Sequence, residues 1–80
     1  MAPGKEHHER NAAHSLQESR RLLNDALKQL NLCEDAYLDL DHTDWEKVAR
    51  LADKALIAAQ ASILPLGNVG THALRRVALE

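Results

Sequence analysis

Small and apolar residues recur along the first half of this chain at alternating steps of four and three: Ala12, Leu16, Ser19, Leu23, Ala26, Leu30, Cys33, Tyr37 and Leu40. A mean step of 3.5 holds all nine on one side of an α-helix, and a stripe that long is useful only if another helix lies along it. The feature narrows the chain to helix-on-helix packing. It says nothing about chemistry.

The period predicts a first helix over about 11–40, preceded by a tail or frayed turns at 1–10, where Pro3 and Gly4 break the chain and Lys5 to Arg10 are dense in charge and histidine. Asp39 to His42 makes the break. Thr43 with Glu46 fits a capping box and opens a second helix over about 43–64. There Trp45, Val48, Ala52, Ala55, Ala59 and Ser62 repeat at three and four, and Pro65 is expected to end the helix. A turn at 65–68 leads to a third, shorter helix over about 69–79. The expected fold is all-α: an antiparallel helical hairpin plus a short C-terminal helix, one domain over 11–80.

Eighty residues make at most one domain with a modest core. Cys33 is the sole cysteine, so no disulfide within the chain can reinforce that core. The first helix has more leucine than one seam uses, and residues 55–74 hold no Asp, Glu, Lys or Arg. A helix apolar around its circumference is normally covered on all sides. Both facts point to a second copy and a homodimeric four-helix-type bundle with residues 55–66 in or near the interface. Trp45, Leu56, Ile57, Ala59, Ile63 and Leu66 are the interface candidates, and Trp45 is either a buried anchor of the hairpin end or an exposed binding residue. The competing fold is a monomeric three-helix bundle, with the third helix folded back.

The chemistry of sites is thin. His7, His8 and His14, with Glu6 and Glu9, are the densest group of metal-ligand types, but they lack the i,i+4 histidine pair of helical zinc sites. Asp39, Asp41, His42, Asp44 and Glu46 lack the glycine and twelfth-position glutamate of a calcium loop, and capping explains them. Cys33, beside Glu34 and Asp35, reads as a small core residue rather than a nucleophile. With no phosphate loop and no nucleophile motif, no enzyme activity, cofactor or metal is expected.

A net charge of −2 and the absence of phenylalanine argue against a nucleic-acid binder, which wants a basic excess and stacking rings. Arg20, Arg21, Lys28, Lys47, Arg50 and Lys54 do give a hairpin some basic positions. In architecture alone the expected fold resembles the Rop type of plasmid regulator, and that resemblance implies paired RNA as the alternative partner. The MAPGKEHHER start has no apolar segment of a secretory signal, and 55–66 is too short to cross a bilayer. The sequence thus reads as a small cytoplasmic adaptor, regulator or chaperone-like protein that binds other helices, itself first of all.

Overall fold

The computed structural model describes residues 3–39 and 42–79, and Leu40, an expected seam residue, lies outside them. Three helices account for nearly all of it: α1 (Pro3–Tyr37), α2 (Trp45–Ala61) and α3 (Ile63–Ala78). α1 runs antiparallel against both α2 and α3, which follow one another as a single bent rod. The molecule is 64 Å long and 13 Å across in each other direction.

Each boundary has a local cause. α1 begins at Pro3, eight residues ahead of the expected start. Proline suits the first turn of a helix, where its missing N–H would have no partner anyway. At the other end Thr43 does not cap α2. Its hydroxyl donates to the Asp39 carbonyl at 2.7 Å and closes the end of α1 instead. Asp44 takes the capping role, accepting the Lys47 amide at 3.1 Å.

Pro65 does not end α2. The helix breaks three residues earlier, at Ser62, and Pro65 sits in the first turn of α3, where its lost N–H matters least. Ser62 ties the joint: its hydroxyl donates to the Ala59 carbonyl at 2.6 Å, and its own carbonyl accepts the Leu66 amide at 3.0 Å. The expected turn at 65–68 is therefore helical, and α3 extends the rod rather than folding back as a third layer.

The contact between the two rods is rich in small side chains, with Leu22, Val48, Leu51 and Val69 as its larger apolar members. The buried and half-buried residues of α1 follow steps of four and three, His8, Ala12, Ser15, Ser19, Leu22, Ala26, Gln29, Cys33 and Ala36, with Asn11 and Glu18 half-buried beside them. Those of the second rod run Val48, Leu51, Ala55, Ala58, Ser62, Pro65, Val69, His72 and Arg76 in the same rhythm across the bend, with Ala59 half-buried beside them. Ser19 is the most enclosed, 1% exposed, with its hydroxyl satisfied by the Ser15 carbonyl at 2.7 Å. Cys33 also lies in the seam, its thiol on the Val48 carbonyl at 3.4 Å.

The expected seam was right in period and right at Ala12, Ser19, Ala26 and Cys33. It was wrong at Leu16, Leu23, Leu30 and Tyr37, all of which are exposed. Their places belong to the residues just before them, Ser15, Leu22, Gln29 and Ala36. Short side chains at most layers let two helices approach closely, and Leu22 and Leu51 are the leucines the seam admits.

Two substitutions follow. Ser19→Leu forces a long side chain into the tightest layer and is expected to cost about 1–3 kcal/mol, seen as a lower melting temperature by circular dichroism. Gly67→Ala adds a methyl group that meets nothing within 4 Å and is expected to stabilise by about 0.5–1 kcal/mol, because glycine inside a helix costs about that much.

Candidate interaction surface

A residue one place beyond a seam position lies about 100° further round its helix. On α1 that step places Glu9, Leu16, Leu23, Leu30 and Tyr37 in one row and, further round, Ala13, Arg20, Leu27 and Glu34 in a second. On the antiparallel rod the same step turns to the same side of the molecule. It gives two rows: Ala49, Leu56, Ile63, Gly70 and Val77, then Ala52, Ala59, Leu66 and Ala73, with Trp45 at their head. The packing agrees. Leu16, Leu23 and Leu66 line one shallow groove, with Arg20 and Asn24 at its margin. At the turn end the Tyr37 and Trp45 rings meet edge to face at 5.9 Å. The second rod contributes no charged residue to this flank over 45–77.

The flank is open. Leu23 is 42% exposed, Leu56 53% and Trp45 64%. Among the described residues only Leu51 and Ala58 are buried apolar side chains. Monomeric proteins rarely leave apolar patches of more than a few hundred Å² in water. This one extends from Leu16 to Tyr37 on α1 and from Trp45 to Val77 on the second rod.

Of the six interface candidates, Trp45, Leu56, Ala59, Ile63 and Leu66 lie on this flank. Ile57 does not. It lines a groove on the other side with Leu22, Asp25, Gln29, Lys54 and Ala61. Trp45 is not the buried anchor that its place in the period suggested. The row that sequence reasoning misplaced is that of Leu16, Leu23, Leu30 and Tyr37, assigned to the seam. The missed signal was the row just before it, Ser15, Leu22, Gln29 and Ala36, which keeps the same rhythm with mixed residue types.

The basic residues divide. Arg20 borders the apolar flank. By the same rotation Arg21, Lys28, Lys47, Arg50 and Lys54 fall on the opposite side, among acids: Arg21 is paired with Glu18, and Lys54 shares a groove with Asp25. The Arg21 guanidinium holds the Glu18 carboxyl below its usual range, chiefly by hydrogen bonding. A surface of alternating sign does not present the basic field that phosphates require.

At the open end of the hairpin, His8 and His72 face each other from opposite rods, Nδ1 to Nδ1 at 2.8 Å. His7 stands edge-on to both rings, 5.3 and 6.1 Å away. Beside them Glu9 pairs with Arg76. The 2.8 Å contact needs one imidazole as donor and the other as acceptor, so at least one ring must be neutral. Partial burial, then the charges of His72, His7 and Arg75, lower the His8 pKa. Among the described residues no three His, Cys, Asp or Glu side chains are grouped to hold a metal ion. Among the same residues no helix is long and apolar enough to cross a membrane. No protein-family profile, curated protein or solved structure matches the chain.

The histidine pair sets a pH dependence. A histidine whose folded pKa lies below its unfolded value of about 6.5 stabilises the fold fully above that pH, and the contribution fades as pH falls toward the folded value. Amide exchange over residues 7–12, corrected for intrinsic rate, is expected to be faster at pH 5.5 than at pH 7.5. His72→Gln is expected to bring the His8 pKa, followed by NMR, back toward its ordinary value.

Proposed function

We propose that this chain is a non-catalytic helical interaction module that works by packing its apolar flank against helices of another chain, the first such partner being a second copy of itself. The observation behind this reading is the uncharged face along 45–77, with Trp45, Leu56, Ile63, Leu66 and Val77 exposed on it, set beside the leucines of α1. Two rods joined by alanine, serine and cysteine bury too little apolar surface to stand alone. Covering the flank with a second pair of rods gives a four-helix bundle with leucines inside and the mixed-charge surfaces outside. The flank over 45–77, about 50 Å long at 1.5 Å per residue and roughly 20 Å wide, two helix diameters, offers about 1,000 Å² per copy, near the ~800 Å² per partner of a standard stable interface. An adaptor, regulator or chaperone-like protein needs no more than such a surface, completed by itself or by a client helix.

Light scattering at two concentrations tests the reading. The expected mass is twice the 8.9 kDa of one chain, and the helical signal should melt at a higher temperature as concentration rises. Leu23→Glu puts a charge at the middle of the flank. It is expected to weaken association by at least about 100-fold, roughly 3 kcal/mol, while Asn31→Glu, turned away from it, leaves association unchanged. A wild-type chain that stays folded at 8.9 kDa over the whole range overturns the reading.

A further inference from the structure

The open end of the hairpin is held by different chemistry from the rest. No residue of α3 is buried, and beyond Val69 its half-buried residues are His72 and Arg76. His72 meets His8 of α1, Nδ1 to Nδ1 at 2.8 Å, and Arg76 meets Glu9. Leu79 lies over Gly4 and adds an apolar contact. We propose that the His8–His72 pair is an acid-released latch: with a proton on both rings, α3 undocks from α1 beyond Val69 and the open end of the apolar flank goes with it. The inference rests on the self-association argued above and adds its regulation.

The latch works through donors and charge. Ring nitrogens at hydrogen-bond distance need a lone pair between them, and two imidazolium rings facing by Nδ1 have none to offer there. Two like-charged rings would then stand with 2.8 Å between their nitrogens. The charged and titratable groups around them are His7 and Glu9 from α1 and Arg75 and Arg76 from α3. Glu6 and Arg10 are exposed on α1, and α2 ends at Ala61, midway along the rod. The Glu9 charge is met by Arg76, while His7 and Arg75 add to the repulsion. Partial burial, then the charges of His72, His7 and Arg75, lower the His8 pKa. By linkage, a proton that docking resists is a proton that favours undocking. Once undocked, α3 has little to keep it helical. It contains Gly67 and Gly70, and a helix of 16 residues is marginal without packing. Gly70, Ala73 and Val77 then leave the flank. Cut back to 45–69, the flank is about 37 Å long and offers about 750 Å² per copy in place of about 1,000, under the ~800 Å² per partner of a standard interface.

A titration of the whole chain from pH 7.5 to 5 tests the latch. Imidazole NMR shifts report the protonation of His8 and His72, Cα shifts report helix over 70–78, and sedimentation equilibrium reports association. As the second ring of the pair takes its proton, the helical shifts of 70–78 should fall by about half or more while those of 20–35 hold. The Kd for association should rise about 10-fold over the same range. A chain carrying both His8→Gln and His72→Gln keeps a donor and an acceptor at each position and loses the titrating pair. Both responses should vanish in it, although His7, His14 and His42 still titrate. Helical shifts at 70–78 that persist in the wild-type chain with both rings protonated overturn the latch, as does an acid response that survives in the double variant. Undocking with association unchanged overturns the link to the flank. A wild-type chain that is monomeric throughout overturns self-association and its regulation together, whatever the shifts at 70–78 do.

Discussion

The close contact of small side chains between two antiparallel rods sets everything else in this molecule. Ala12, Ser15, Ser19, Ala26, Cys33 and Ala36 on one rod, and Ala55, Ala58 and Ser62 on the other, set backbone and short groups between the helices, with Leu22, Val48, Leu51 and Val69 as the larger exceptions. Such a seam brings the axes together, but it transfers little apolar area out of water, at about 25 cal/mol per Å². The serines add cost unless their hydroxyls are satisfied. Ser19 meets that condition on the Ser15 carbonyl and Ser62 on the Ala59 carbonyl. The seam thus specifies register and closeness rather than supplying stability.

The leucines follow from the seam. A helix has room for about three faces, and on α1 the small residues occupy the one toward α2 and α3. Leu16, Leu23, Leu30 and Tyr37 are turned about 100° away, onto a side shared with Leu56, Ile63 and Leu66. Were these leucines scattered round the helix, each would be an ordinary exposed apolar residue. Aligned on both rods along one side, they form a second stripe wider than the seam. One chain therefore has two packing surfaces of different character: a polar, small-residue one used internally and a large-residue one left over.

The period of the chain was legible and its phase was not. Steps of four and three identify a helix that packs along its length whichever residues fill them, so the existence of α1 and α2 followed from sequence. Phase was assigned by placing leucines inward, and that rule fails where a seam is made of serine, glutamine and alanine. Ser15 and Gln29 look like surface residues, yet they alternate with Ala12, Ser19, Ala26 and Cys33 in the same rhythm. The helix ends failed for a different reason. Thr43 and Asp44 are both good caps, one residue apart, and the choice between them depends on Thr43 finding the Asp39 carbonyl, a contact no local pattern encodes. The apolar flank was legible in part, since Trp45, Leu56, Ala59, Ile63 and Leu66 follow from the uncharged stretch, while its α1 half was hidden by the error of phase.

The bend at Ser62 connects these points. A proline in the first turn of a new helix, rather than the last turn of an old one, lets the second rod continue past the place where it would otherwise stop. The seam rhythm from Val48 to Arg76 crosses the joint without losing a step. α3 consequently keeps facing α1, and its Gly70, Ala73 and Val77 extend the flank that α2 began. Had α3 folded back as a separate layer, it would have covered part of that flank. By prolonging the rod instead, Pro65 keeps the flank long and open.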